Sequence, residues 1–112
     1  MEYIVRRGDQ YNIPFPIILG NKILTPNEIE DVVISFNDIS KSFKKEEVTF
    51  NWDKNYFEFP LTQEETFDLY PGVRLDSQVR FKMKQLDDRN PTISSFDGPS
   101  IIIINSNNEE II

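Results

Sequence analysis

Alternating amide and carboxylate side chains near the middle of the chain are the first candidates for metal chemistry. Asn51, Asp53 and Asn55 are spaced like the first half of a calcium-binding loop. The position that requires glycine in such a loop is Tyr56, however, and the position of the bidentate glutamate is Thr62. The calcium interpretation fails on both positions, and a polar hairpin connection between two strands is favoured. The sequence therefore predicts no metal-binding residue.

Adjacent carboxylates are the other groups that could support acid–base chemistry. Pairs occur at Glu46-Glu47, Glu64-Glu65 and Glu109-Glu110. Neighbouring side chains on a strand or helix diverge, so no pair can frame a substrate by itself. The chain contains no His and no Cys, which removes the commonest general base, thiolate nucleophiles and most zinc or haem sites. We therefore expect no catalytic residue, no cofactor and no enzyme activity.

Aromatic side chains could form a platform that stacks on sugar rings. Trp52, Tyr56 and Tyr70 are the main candidates, with Tyr11 as a fourth. Aromatic residues on strands also pack into cores and protein interfaces. The sequence leaves both interpretations open, so a small sugar- or peptide-binding module is the alternative function.

The triplet Arg7-Gly8-Asp9 has the composition that integrin ligands use. A match of three residues is weak evidence for such a function. A turn or bulge at Gly8 between two strand segments is favoured instead.

Length and charge narrow the classes of partner. The chain has 112 residues, enough for one domain, with 19 acidic and 12 basic residues and a net charge of -7. This charge has the wrong sign for attraction to nucleic acid phosphates or to an anionic membrane, so neither is expected as a partner. The first seven residues do not resemble a signal peptide. We expect a protein that is made in a cytoplasm and is not exported by an obvious signal.

Alternation of apolar and polar residues predicts an all-β fold. The longest alternating run covers residues 73–83, and Ile, Val and Phe are abundant while Ala is absent. The faces predicted to be buried in the strands are Val73, Leu75, Ser77, Val79, Phe81 and Met83; Val32, Ile34 and Phe36; Val48, Phe50 and Trp52; Phe57, Phe59 and Leu61; and Ile13, Phe15, Ile17 and Leu19. The pattern predicts an immunoglobulin-like antiparallel β-sandwich of about seven strands in residues 1–104, followed by a polar tail at 105–112.

Turn and capping residues separate these strands. Pro14 and Pro16 lack backbone donors, which predicts that their strand lies at a sheet edge or crosses from one sheet to the other there. Gly20-Asn21 predicts a turn. Capping boxes predict one or two short helical turns, at Thr25-Pro26-Asn27-Glu28 and at Thr62-Gln63-Glu64-Glu65. The second turn is predicted to stop at Pro71-Gly72, and a further solvated turn is predicted at residues 87–91.

The C-terminal region is the candidate interface. Its apolar members are Ile101, Ile102, Ile103, Ile104, Ile111 and Ile112. No polar residue alternates with the first four isoleucines, which predicts a strand covered on both faces and bounded by Pro99 and Asn105. Either this strand lies in the middle of its own sandwich, or it contacts a second copy or another protein.

Three motifs in order carry a resemblance to a known family. They are Arg6-Arg7-Gly8-Asp9 followed by Ile13-Pro14-Phe15, then Leu61-Thr62-Gln63-Glu64-Glu65-Thr66-Phe67, then Ser77-Gln78-Val79-Arg80-Phe81-Lys82. The chain resembles small phage and prophage structural proteins similar to the N-terminal domain of the baseplate upper protein of phages that infect Gram-positive bacteria. Residues 85–90 depart from the Asp-Gly hairpin turn of that family.

This resemblance implies a β-sandwich that works by assembly and without catalysis. It implies a virion component of the tail, baseplate or head–tail region. The partners that it implies are other virion proteins, and the Ile-rich strand adds self-association into a homo-oligomer as an expectation.

Overall fold

Strands account for most of the chain, as the alternating pattern predicts. The computed structural model describes residues 2–84 and 93–105. In these residues the chain forms ten strands and one short helix. In chain order they are β1 (Glu2–Arg6), β2 (Tyr11–Phe15), β3 (Ile18–Leu19), β4 (Lys22–Ile23), β5 (Ile29–Phe36), β6 (Ile39–Ser42), β7 (Thr49–Asn51), β8 (Tyr56–Leu61), α1 (Gln63–Phe67), β9 (Arg74–Met83) and β10 (Ile93–Ile104).

Two sheets enclose the hydrophobic core. The larger sheet has the order β1-β10-β9-β5-β6 and the smaller has the order β2-β8-β7, while β3 and β4 form a separate hairpin. If β2 is matched to strand B, the smaller sheet follows the order B-E-D of immunoglobulin-like domains. The strands β10-β9-β5-β6 then follow the order G-F-C-C′. The predicted immunoglobulin-like sandwich is therefore confirmed.

Two details of the predicted topology are wrong. The described residues contain ten strands instead of about seven, because the first part of the chain is divided into short strands that include the β3–β4 hairpin. The larger sheet is also mixed, since β1 runs parallel to β10 with Ile4 opposite Ile102. The chain crosses to the smaller sheet between β1 and β2, which leaves its first strand beside its last strand in the same direction.

Three phenylalanine rings join the two sheets. Phe36 on β5 lies edge-to-face against Phe15 on β2 and Phe59 on β8, with ring centroids 5.9 Å and 5.2 Å away. All three side chains are fully buried. Edge-to-face packing of this kind adds to the stabilisation that comes from burying the apolar area itself.

The predicted inward faces are largely correct. Val32 and Ile34 on β5 are buried opposite Phe81 and Val79 on β9.

The face predicted for Val48, Phe50 and Trp52 is less regular than the alternation suggests. Val48 is buried and Phe50 half-buried, but Trp52 is 57% exposed because β7 ends at Asn51.

The predicted edge strand and turn near the start of the chain are confirmed. β2, which contains Pro14, forms an edge of the smaller sheet. Gly20 has a φ of 62° in the two-residue turn of the β3–β4 hairpin. Leu19 does not continue the buried face of β2, because it lies on this hairpin and is 60% exposed.

One of the two predicted helical turns forms a helix. The Thr62 hydroxyl accepts a hydrogen bond from the Glu65 N–H at 3.2 Å, and the Glu65 carboxylate accepts one from the Thr62 N–H at 2.9 Å. α1 ends at Phe67, before the predicted stop at Pro71. At the other site the Thr25 hydroxyl accepts a hydrogen bond from the Asn27 N–H, but a single turn forms because the chain enters β5 at once.

The predicted boundary of the last strand is also wrong. β10 begins at Ile93, so Pro99 lies inside the strand. The register with β9 shifts between Asp97 and Ser100, which places Pro99 at an irregularity where a ladder hydrogen bond is not needed. The turn predicted at residues 87–91 lies outside the described residues.

Gly98 allows the larger sheet to approach the core at this irregularity. A Cβ atom at position 98 would lie 2.5 Å from the Ser77 Oγ and 2.8 Å from the Phe15 Cε1. The Ser77 hydroxyl is itself engaged, since it donates to the Pro99 carbonyl at 2.6 Å. Neither neighbour can move without disturbing the core or this hydrogen bond.

We predict that Gly98→Ala lowers the free energy of unfolding by about 1–3 kcal/mol through overpacking. Urea unfolding followed by circular dichroism measures the effect. Ser95→Ala, an exposed position on the same strand, is the matched control and should change stability little. Equal stability of Gly98→Ala and the wild type would contradict the packing assigned to this position.

Candidate functional site

The sites that the sequence suggests for chemistry are part of ordinary structure in the described residues. Among residues 2–84 and 93–105, no group of three or more His, Cys, Asp and Glu side chains could hold a metal ion. In the same residues, no buried side-chain nitrogen or oxygen lacks a hydrogen-bond partner. The Asn51 Oδ1 accepts hydrogen bonds from the N–H groups of Asp53 and Lys54 at 3.0 Å and 3.1 Å. The prediction of a polar hairpin between β7 and β8 is confirmed.

The turn at Gly8 packs against α1. Gly8 has a φ of 89°, and its N–H donates to the Thr66 Oγ1 at 3.0 Å. The Thr66 hydroxyl in turn donates to the Asp9 carbonyl at 2.7 Å, and Thr66 is fully buried. The Arg7 Nε donates to the Phe67 carbonyl at 2.7 Å, with the guanidinium 4.7 Å from the Phe67 ring centroid. The turn prediction is confirmed, and the structure brings two of the three family-like motifs into contact.

A charged pair lies where β6 meets α1. The Lys41 Nζ donates to the Pro60 carbonyl at 2.5 Å and to the Glu65 Oε1 at 2.7 Å. The Lys41 side chain is only 13% exposed. Partial burial opposes the charge on Glu65. The hydrogen bonds from the Lys41 ammonium and the Thr62 N–H outweigh that effect and hold the pKa of Glu65 below its ordinary value.

A polar cluster lies on the outer face of the larger sheet, beside β1. The Ser100 hydroxyl donates to the Asp76 carboxylate at 2.6 Å, and the Arg74 Nε donates to the same carboxylate at 3.2 Å. These two donors lower the pKa of Asp76. Arg74 also forms an ion pair with Glu2 at 3.3 Å, so the cluster reaches the outermost strand.

The candidate aromatic residues lie at separate hollows. Trp52 lines a hollow of about 590 Å³ with Phe43, Phe50 and Lys44. Tyr56 is half-buried and lines a groove of about 400 Å³ between Pro14 and Pro99, and Tyr70 lines a third hollow beside Leu69. Trp52 and Tyr70 are 57% and 79% exposed. The structure therefore does not join the predicted aromatic residues into one platform.

The candidate interface at the end of the chain is divided between two faces of the larger sheet. Ile101 and Ile103 are fully buried in the core. Ile102 and Ile104 are half-buried on the opposite face. β10 lies between β1 and β9, so its neighbours in the sheet belong to its own chain. Ile111 and Ile112 lie outside the described residues.

The β3–β4 hairpin is an apolar surface that sequence reasoning missed. Ile18 and Leu19 on β3 and Ile23 on β4 are 59%, 60% and 44% exposed. The base of the hairpin is fixed, because the Leu24 N–H donates to the Ile17 carbonyl at 2.8 Å and both side chains are buried. Each strand of the hairpin has two residues, which is too short to show an alternation of apolar and polar side chains. The Gly20-Asn21 turn was therefore the sequence signal for this hairpin.

Comparison with known proteins provides no relative for this chain. No protein family, curated protein or solved structure matches it. Within the described part of the chain, no helix has the length and apolar character needed to cross a membrane.

The Lys41–Glu65 contact predicts a pH dependence of stability. The pKa of Glu65 lies below its ordinary value of 4.5 in the folded protein. Its ionised form therefore stabilises the fold fully above the unfolded value, and this contribution is lost as the pH falls through the folded value. Glu65→Gln removes the titration and keeps a side chain that can complete the capping box.

We expect Glu65→Gln to be less stable than the wild type near neutral pH, with a difference that shrinks as the pH falls from neutral to below the ordinary value of 4.5. Thermal unfolding across this range measures the difference. Glu64→Gln, at the exposed neighbouring position, should follow the wild type. A Glu65→Gln deficit that is independent of pH would show that the charge of Glu65 does not contribute.

Proposed function

We propose that this chain is a non-catalytic structural component of a phage or prophage virion, in the tail, baseplate or head–tail region. It acts by assembling with other virion proteins. The observation that carries the proposal is the β3–β4 hairpin, whose three aliphatic side chains are exposed on a segment that pairs with neither sheet. The resemblance of the three sequence motifs to baseplate proteins supports the virion setting.

An isolated two-stranded hairpin is marginally stable in water. This hairpin has a firm base, where buried Ile17 and Leu24 pack in the core and Lys22 forms an ion pair with Glu28 at 3.3 Å. Its aliphatic side chains keep 44–60% of their surface exposed. Covering that surface against a partner stabilises a complex by about 25 cal/mol for each Å² of apolar area buried. A hairpin with a buried base and exposed aliphatic side chains along its strands is therefore suited to docking.

The remaining chemistry of the chain supports assembly over catalysis. His and Cys are absent from the sequence, and neighbouring side chains in the acid pairs are expected to diverge. In the described residues the polar side chains inside the fold bind each other and the backbone, as Thr66 and Lys41 do. Such groups maintain the fold and are not available to activate a substrate.

The alternative function is sugar or peptide binding at the hollow beside Trp52. Phe50 lies edge-to-face between Phe57 and Trp52, with centroid distances of 4.8 Å and 4.7 Å. The core thus supports an exposed indole from beneath. Lys44 and Glu46 line the same hollow and could bind the polar groups of a ligand.

The virion proposal predicts that the hairpin controls incorporation. The chain should be found by mass spectrometry in virions purified from a producing strain. The double variant Ile18→Ser with Leu19→Ser should be incorporated less, on the order of tenfold or more, because its partner loses two apolar contacts. Ile93→Ser is the matched control, since Ile93 is an equally exposed isoleucine elsewhere on the surface. Absence of the chain from virions would refute the function, and full incorporation of the double variant would refute the role of the hairpin.

The alternative predicts a fluorescence change, since Trp52 is the one tryptophan of the chain. Titration with oligosaccharides of the bacterial cell wall should shift the indole emission and saturate if the hollow binds sugars. Tyr70→Ala, at a separate hollow, should leave the titration unchanged. A flat titration with the wild type would remove sugar binding at this hollow.

A further inference from the structure

Four strands form the outer edges of the two sheets, and three of them carry features that oppose further pairing. The edge strand β2 contains Pro14, and the edge strand β7 has only three residues. On the edge strand β6, Lys41 points inward and is held by Glu65. Proline, shortness and inward charges are recognised ways of preventing an edge from adding another strand.

The fourth edge, β1, points no charged side chain into the core, and among the described residues its own chain occupies this edge only at Arg6. It is a regular strand of five residues without proline, and β10 is its one strand partner in the described chain. The Arg7 N–H donates to the Ile104 carbonyl on β10 at 3.0 Å. Because backbone direction alternates along a strand, the N–H and C=O groups of Glu2 and Ile4 point away from β10. The edge therefore presents backbone donors and acceptors beside an Ile4 side chain that is 64% exposed.

The side chains of β1 are complementary to themselves. Glu2 begins the strand and Arg6 ends it, with Ile4 at the centre. In an antiparallel pair of two such strands, Ile4 meets Ile4 and each Glu2 lies opposite an Arg6. All three side chains share one face, since side chains alternate with a period of two. Opposite charges directly across an antiparallel pair stabilise it.

We propose that two copies of this chain associate through antiparallel pairing of their β1 strands about a two-fold axis at Ile4. The five-stranded sheets of the two copies then form one continuous sheet. The same patch meets itself, as a two-fold interface requires. This inference rests on a different surface from the hairpin and does not depend on the proposed virion function.

The backbone around Arg6 limits how far the pairing extends. The Arg6 N–H already donates to the Tyr11 Oη at 2.9 Å, and its carbonyl accepts from the Asp9 N–H at 3.1 Å. The paired Ile4 residues can exchange both backbone hydrogen bonds. The Glu2 N–H of each copy can use the second lone pair of the Arg6 carbonyl of the other copy. Pairing therefore ends where the chain turns at Gly8.

The outer face gains an apolar stripe from this arrangement. Ile4 lies beside half-buried Ile102 within each copy. Pairing about Ile4 places these isoleucines side by side across the two-fold axis. The self-complementary charges favour a second copy over a foreign strand, which would need its own matching charges.

The inference is tested by exchanging the charges of Glu2 and Arg6 in the full chain, from which any affinity tag has been removed. Sedimentation velocity from micromolar to millimolar concentration should show a reversible dimer. Glu2→Arg alone or Arg6→Glu alone places like charges opposite each other and should weaken dimerisation by on the order of tenfold. The double variant Glu2→Arg with Arg6→Glu restores opposite charges and should dimerise like the wild type. The Glu2→Arg substitution also breaks the Glu2–Arg74 ion pair within each copy, and adding Arg6→Glu does not restore that pair. Recovery of the dimer in the double variant therefore reports the contact between copies.

Ile4→Lys should abolish the dimer, because lysine at an edge prevents strand addition. Ile93→Lys is the matched control, and the double hairpin variant Ile18→Ser with Leu19→Ser should also keep the dimer. Glu2, Ile4 and Arg6 are exposed, so circular dichroism should show each variant folded. A wild-type chain that stays monomeric at every concentration would overturn the proposal, whether or not a foreign strand binds the edge. A dimer that resists Ile4→Lys, or a double charge variant that fails to dimerise, would also overturn it.

Discussion

The buried hydroxyl of Thr66 is the contact on which the arrangement of the two sheets depends. It accepts a hydrogen bond from the Gly8 N–H and donates to the Asp9 carbonyl, and so binds both sides of the turn between β1 and β2. That turn carries the chain from the larger sheet to the smaller one. Because the turn is attached to α1, the first strand remains beside the last strand while the second strand begins the opposite sheet. The edge at β1 and the core around Phe15 both follow from this crossing.

Packing around Phe15 in the core also affects β10, at Gly98. Phe15 lies against Phe36 and Phe59, and the space beside its ring is too small for a Cβ atom at residue 98 unless a neighbour shifts. The register shift of β10 occurs at the same place, which lets Pro99 lie inside a long strand. Close packing across the sandwich therefore explains an irregularity that the strand itself does not need. Beyond this irregularity the side chains alternate as in any strand, so Ile101 and Ile103 point inward while Ile102 and Ile104 point outward.

In the described residues, buried polar side chains have hydrogen-bond partners, whereas several large apolar side chains remain exposed to solvent. In the described residues the buried polar atoms are satisfied, and charges such as Lys41 and Asp76 bind neighbours within the chain. Large apolar side chains, by contrast, are exposed on the β3–β4 hairpin and at Ile4. Covering this apolar surface would lower the free energy, which is the physical basis of the two proposed interfaces. The two surfaces are separate, so one could bind a different partner while the other joins copies of the chain.

Local patterns in the sequence were sufficient for the fold class, the strand faces and the cap of α1. Alternation specifies which side of a strand is buried, and the Thr62–Glu65 capping box involves residues three positions apart. The direction of β1, the irregularity at Pro99 and the dispersal of Trp52, Tyr56 and Tyr70 required the tertiary structure. Each of these depends on which distant segments become neighbours, and exposure of the short hairpin depends on the area that the sheets leave uncovered. The sequence determined the strands and their inward faces, because these arise from contacts between near neighbours. The tertiary structure decided the candidate surfaces, because an apolar residue becomes an interface only where packing leaves it exposed.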